Sequence, residues 1–408
     1  MAVNLKYGKS DILFNIPEKA EWFDTKEPSF DIDKKKFCES FNICLPNDPN
    51  KYKNIGIVVS DKTRLCGYPL YLPWITEIFQ ERRAKKTNIT FYIAYGTHPK
   101  QTEEESLQSY GDTYTEYRFV HHDCYDEAVF LQLGLTSQGT SVKVRKDVLQ
   151  SSLLITFGAI SHHYFAGYGG GRKLLFPGLA DRKSIYHNHG IFLDQQKRML
   201  VEDCQPGKLK GNPVAEDLKE IDEYMPPKIS IHGILNSNGE VCKLMVGRTY
   251  EDFVTACEKY DNYYRVKNKK QYNLVLASSG GYPKDINFIQ AHKSIHHAAA
   301  FVKDGGTLLM LSECIDGIAS DFFLQFMNAG SFEKAYTMLE NNYRGNGGTA
   351  LSMMTKTSRI KIYMMTRLDE MLCNILNVKK VDESGVQKLL DQEKGSVAVI
   401  RNASMLVM

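Results

Sequence analysis

Short β-branched runs that break off into polar or glycine-bearing loops, each followed by a helical pattern, recur along this chain and restrict what it can fold into. The first, NIGIVVS at 54–60, leads straight into Asp61-Lys62-Thr63-Arg64 and then a helix expected near 72–85, with Trp74, Ile75 and Ile78 on one face. The second, NITFYIA at 88–94, ends in Tyr95-Gly96-Thr97-His98, and Thr102 and Glu105 then form a capping box that opens another helix. A third run, 152–160, enters a glycine-rich stretch at 162–178. Such alternation is that of an α/β protein with largely parallel sheets. In open sheets of this kind ligands bind at the loops beyond the carboxyl ends of the strands, so His98 stands where chemistry is expected.

A chain of 408 residues is too long for one comfortable core and fits two domains. The polar stretch 266–271 marks the boundary: a first domain over 1–268 and a second over 269–392, with the segment 393–408 able to return to the first and its strand at 396–400 able to join either sheet. The first domain also holds a hairpin, 229–235 and 241–246, turning at Asn236-Ser237-Asn238-Gly239. The second is expected to contain strands at 272–277, 307–311 and 360–365 and a helix near 286–302. Two Rossmann-like domains imply an active site in the cleft between them.

Charge and cysteine usage narrow the partners. With 51 basic and 48 acidic residues and no long block of either sign, neither nucleic acid nor an anionic membrane is indicated, and a small molecule is expected. The nine cysteines are odd in number, scattered and never in a Cys-x-x-Cys spacing, which reads as reduced thiols in cytoplasm. No apolar run has the length of a signal peptide at the N-terminus, or reaches the roughly 18 to 20 residues of a membrane span.

The densest group of unusual residues is His162-His163-Tyr164-Phe165-Ala166-Gly167-Tyr168-Gly169-Gly170-Gly171-Arg172-Lys173, followed by Tyr186-His187-Asn188-His189. Consecutive glycines let backbone approach a ligand and offer amide donors, which suits a phosphate, but a glycine run is also a plain turn. It is neither a Walker loop nor a dinucleotide fingerprint, because the spacing is wrong for both.

This stretch resembles the motif of the nickel-pincer nucleotide-dependent lactate racemase family, in which a histidine precedes the glycine loop and a lysine ends it. The resemblance implies that His163 is a catalytic histidine, that Lys173 carries the cofactor through a thioamide, and that His189 is the protein ligand of nickel. Asp61-Lys62-Thr63-Arg64 is similar to the family loop that meets the cofactor and the substrate carboxylate. Gly96-Thr97-His98 with Thr102 is similar to the loop holding the other catalytic histidine, and Gly280-Gly281-Tyr282-Pro283 followed by Gln290 and Lys293 to the segment that reaches the substrate. There are departures. Gly169 stands where serine is common, Pro99-Lys100 follow His98 where Arg-Pro is usual, and Ile289 replaces a tyrosine. With only Trp22 and Trp74 present, no C-terminal tryptophan can border the substrate.

The resemblance implies a racemase or epimerase of 2-hydroxy acids. Hydride would leave C2 for a lysine-tethered nickel-pincer nucleotide and return on the other face, and separate enzymes would make that cofactor. The residues agree on their own terms. Two histidines with pKa near 6.5 can exchange a hydroxyl proton near neutral pH from either side, and Arg64 offers a planar fork to a carboxylate. Square-planar nickel accepts imidazole and soft sulfur, so one histidine suffices if the cofactor supplies the other ligands. The rival readings are a zinc-dependent hydrolase built on His98, His163 and His189, and a non-catalytic nucleotide or sugar-phosphate binding protein using the glycine loop. His292 and His296, four apart on a helix, and His121-His122 are read as structural.

Overall fold

The run at 54–60 forms strand Ile55–Ser60, buried along its whole length and paired in parallel with Ile89–Ala94 on one side and Leu153–Ala159 on the other. The computed structural model describes residues 1–226, 228–267 and 269–408, divided into two compact units. The first unit is Glu27–Phe192 with Asp203–Tyr263; the second is Met1–Lys26, Leu193–Glu202 and Tyr264–Met408.

The first unit's sheet has the order Val241–Gly247, Lys228–Leu235, Leu153–Ala159, Ile55–Ser60, Ile89–Ala94, Arg118–His121. Every pairing is parallel except the hairpin Lys228–Leu235 with Val241–Gly247. Val59 lies opposite both Ile93 and Phe157, so three neighbouring strands end level and their following loops emerge at one edge. Ile57, Phe91, Ile155, Phe157, Leu72 and Phe79 make one core with the flanking helices, each fully buried side chain contributing about 1.5–3 kcal/mol. Helix Tyr68–Glu81 starts earlier than its apolar face suggests. Gly67, at φ 63°, turns the chain, and Pro69 sits in the first turn where a missing N–H costs nothing.

In the second unit six strands run Lys379–Lys380, Lys361–Met365, Val302–Leu311, Tyr272–Ser278, Val397–Ile400, Glu21–Phe23, all parallel. This corrects the division expected from the sequence. Of the two sheets open to it, Val397–Ile400 joins the second, inserting between Tyr272–Ser278 and Glu21–Phe23. The first 26 residues, expected in the first domain, belong to the second unit. Their hairpin, Ala2–Tyr7 with Ser10–Asn15, buries Leu5 and Phe14 against Leu274, Leu276 and Val399, and the Gly8 amide donates to Asp285 at 2.8 Å. Leu193–Glu202 also joins the second unit, where the Tyr336 hydroxyl donates to the Asp194 carbonyl at 2.8 Å. The boundary expected at 268 falls on Asn268, which lies outside the described residues; the observed division comes at Tyr263. Among the described residues no helix is long and apolar enough to cross a membrane.

Candidate active site

Beyond Ser60 the chain closes a tight turn on Asp61, whose Oδ1 accepts the Thr63 amide at 2.9 Å and the Thr63 hydroxyl at 2.6 Å. Its Oδ2 then faces His98, with 2.6 Å to Nδ1. Asp61 is only 2% exposed. Burial pushes its carboxyl up, but the His98 hydrogen bond and the charges of His98 and Arg64 outweigh that and hold it below its ordinary value. With a carboxylate on Nδ1, that nitrogen carries the proton and Nε2 is left as the base. The Arg64 guanidinium lies 3.3 Å from His98 Nδ1 and donates to the Thr63 hydroxyl at 3.1 Å. The structure thus gives Asp61 a partner that the resemblance did not supply.

Three further bonds lock the loop bearing His98. The Lys62 amide donates to Gln101 at 3.0 Å while its ammonium pairs with Glu105, so exposed Lys62 ties the two loops rather than pointing inward. Gly96, at φ 59°, donates its amide to the Gly178 carbonyl at 2.9 Å, joining the His98 loop to the end of the glycine stretch. The expected capping box is present: Thr102 accepts the Glu105 amide and Glu105 accepts the Thr102 amide.

The glycine stretch begins as a small hairpin, Ser161–His163 with Gly167–Gly169. Of the adjacent histidines, His162 turns away, its Nε2 2.8 Å from Asp261. His163 Nδ1 accepts the Ala166 amide at 3.3 Å. Phe165 is the residue that sequence reasoning missed: its ring lies 4.5 Å from His163, 5.1 Å from His189 and 5.8 Å from the Lys173 ammonium. A side chain at Gly170 would meet the Ala159 carbonyl at 2.3 Å, so this glycine is required by backbone contact, and its φ of 77° agrees. Where a serine at 169 would place its Cβ, the Ser161 hydroxyl stands 2.9 Å away.

Lys173 keeps part of its surface open, yet burial first, then the cations of Arg64 and Arg172, hold its ammonium well below the ordinary lysine value. Burial, with Lys173, His98 and Arg64 nearby, lowers the His189 imidazole to about 3, so it is neutral near pH 7. Helix Arg182–Gly190 is oriented from its other face. His187 meets the Thr140 hydroxyl at 3.0 Å, and Asn188 donates to buried Asp217 at 2.8 Å, which also accepts Thr136 and Thr140. No sequence signal singled out Asp217.

Asp61, Thr63, Arg64, His98, His163, Lys173 and His189 therefore stand in the first unit, linked by contacts or mutual charge. Gln290 and Lys293 lie in the second, on helix Phe288–Ala299, where the Lys293 ammonium donates to the Gln290 side chain at 2.7 Å. Next to them His297 meets the Ala403 carbonyl at 2.9 Å and His296 the Ser352 hydroxyl at 3.4 Å. His121 and His122 are held by Tyr95, Tyr114 and the Ala180 carbonyl. Among the described residues no group of three His, Cys, Asp or Glu side chains is placed to hold a metal ion.

Comparison with known proteins points the same way. The family models described as Lactate racemase N-terminal domain and Lactate racemase C-terminal domain match residues 7–200 and 267–351. A lactate racemase of Thermoanaerobacterium thermosaccharolyticum is 27% identical over 336 residues, spanning 79% of this chain and 77% of that protein. One from Lactiplantibacillus plantarum is 29% identical over 275 residues, spanning 66% of this chain and 62% of that protein. The solved lactate racemase apoprotein of Thermoanaerobacterium thermosaccharolyticum superposes with a TM-score of 0.88 at 22% identity, over 100% of this chain and 99% of the other, so the fold is shared. A Thermotoga maritima protein superposes with a TM-score of 0.68 at 15% identity, covering 93% and 99%.

Proposed function

The chain belongs to the lactate racemase family, and from that premise we propose that it is a racemase or epimerase of 2-hydroxy acids. The observation that carries the reading is the set Asp61, His98 and Arg64 at the level ends of parallel strands, with a second histidine, His163, on the neighbouring loop. Arg64 takes the substrate carboxylate in its planar fork and holds the molecule while its two faces exchange. His98, kept in one tautomer by Asp61, takes the hydroxyl proton through Nε2, and His163 serves the opposite face. Asp61 acts through His98 and is a positioning residue. The family resemblance assigns Gln290 and Lys293 to substrate binding as well.

The residues present fit a nickel-pincer nucleotide. His189 is a neutral imidazole, the form that ligates a metal, and Lys173 sits where its ammonium is disfavoured, as suits a lysine converted to an uncharged amide. Bound there, the nucleotide supplies a hydride acceptor and donor for C2. Lys173 would tether it, His189 would ligate the nickel, and Thr63 and Arg64 would face it. Enzymes that make the nucleotide are the implied partners. All nine cysteines are free thiols, in keeping with a cytoplasmic protein.

The test is loss of optical purity. Cofactor-loaded protein is given single enantiomers of a panel of 2-hydroxy acids, from lactate and malate to longer aliphatic and sugar acids, and chiral separation should show inversion of at least one. No inversion by fully loaded protein across the panel would overturn the assignment.

A further inference from the structure

Behind the glycine loop lies a cavity of about 30 Å³ lined by Gly171, Arg172, Lys228, His232, Tyr250 and Phe253, among others. Neither Lys173 nor His189 lines it. Arg172 is 3% exposed, and among the described residues its Nε, Nη1 and Nη2 have no hydrogen-bond partner. His232, 1% exposed, likewise has none on either ring nitrogen. The guanidinium rests 4.7 Å from the Phe253 ring centre and 5.8 Å from that of Tyr250, contacts that soften its desolvation but supply no acceptor in the plane of its N–H bonds. Three cations line the cavity, Arg172, Lys228 and Arg248, against one carboxylate, Asp222, whose Oδ1 lies 2.9 Å from the Lys228 ammonium and has no hydrogen-bond partner among the described residues. Burial holds His232 at about 4, so it enters as a neutral imidazole with one N–H to give. The cavity wall therefore presents donors and an excess positive charge.

We propose that this cavity is a binding site for a monatomic anion of the halide class, held by the Arg172 guanidinium and the His232 N–H. Buried charge requires a paired counter-charge, and water, which would accept the same hydrogen bonds, leaves the excess cation uncompensated. The volume fits one such ion: a water needs roughly 10–15 Å³ on this measure, so the space holds about two waters or one halide, and not a tetrahedral oxyanion with its four oxygens. A Cβ at Gly171 would strike the Phe253 ring at 2.5 Å, so glycine there lets that ring reach the guanidinium. An ion at this position would pin the turn Gly171–Leu174, on which Lys173 is carried.

Thermal unfolding in sodium chloride and bromide, against sodium gluconate at matched ionic strength, tests the proposal, since gluconate is too large to enter. The midpoint is expected to rise by a few degrees for each tenfold increase of halide above its dissociation constant, and Arg172→Met should abolish that response. Crystals of the unaltered protein grown in bromide should show an anomalous peak beside Arg172. Equal midpoints in halide and gluconate, or a cavity holding only water in bromide-grown crystals, would overturn it. So would displacement of bromide by inorganic phosphate, which would mean an oxyanion site. Should Arg172→Met fail to fold, His232→Leu and the bromide map of the unaltered protein decide the matter.

Discussion

In the first unit the ionisable side chains of the candidate site stand on loops past the strand ends and meet one another: Asp61 pairs with His98, Arg64 lies against His98, and Asp217 holds the helix that carries His189. In the second, His292, His296, His297 and Lys356 are enclosed within and beside two helices, where His297 meets the Ala403 carbonyl and both His296 and Lys356 meet Ser352. Both units depress the pKa of buried bases. His189 falls to about 3 and Lys356 to about 7, burial being the main cause in each. The first unit sets an imidazole with an accessible edge beside a buried carboxylate: the His98 side chain is 38% exposed against 3% for Asp61. A perturbed base is therefore a poor guide to function unless a charged partner and an open face accompany it.

Substitutions can break that comparison, and the largest effect is expected at Lys173. Protein made together with the cofactor-producing enzymes should carry extra mass at Lys173 by peptide mapping, and Lys173→Ala should lose both the mass and all racemisation. An active Lys173→Ala protein would remove the tether. Next, His98→Ala should lower kcat by about 10²–10⁴-fold, the usual worth of a general acid–base group, with nickel content and unfolding midpoint unchanged. His189→Ala should instead lose nickel, so equal metal loss in the two variants would collapse the division of roles. Asp61→Asn is expected to cost less, about 10–100-fold in kcat, the range seen when a group that orients an active residue is removed.

The smallest effect on turnover belongs to the second unit. Because the Lys356 amine has a folded value near 7 against 10.5 when exposed, the unfolded chain binds more protons between those limits, and stability should rise with pH across that window. Lys356→Met should remove that rise from the unfolding curves and leave kcat as it was. A fall in kcat would place Lys356 in the chemistry and erase the contrast between the units.

The loops that carry Asp61, His98 and His163 were legible because apolar strands stop abruptly against them, and the parallel α/β class follows from the same runs. Which carboxylate meets which imidazole was not. Asp61 and His98 are brought together by strand register, and nothing in either segment alone encodes it. Phe165 reads locally as one more aromatic, and its place between His163, His189 and Lys173 comes from the hairpin turn. The N-terminal hairpin was assigned to the wrong unit for a similar reason. Nothing within the segment says which sheet buries Leu5 and Phe14, and the residues that do so lie in the last third of the chain.

The pairing of Glu21–Phe23 with Val397–Ile400 also sets a timetable for synthesis. A ribosome adding about 5–20 residues per second leaves the first strand waiting some tens of seconds for its neighbour. The first unit has all its strands once residue 263 has left the exit tunnel, and can fold while the rest is being made. The hairpin at Ala2–Tyr7 and Ser10–Asn15 meanwhile trails from it with Leu5 and Phe14 exposed, a natural client for a chaperone until residues 397–400 arrive.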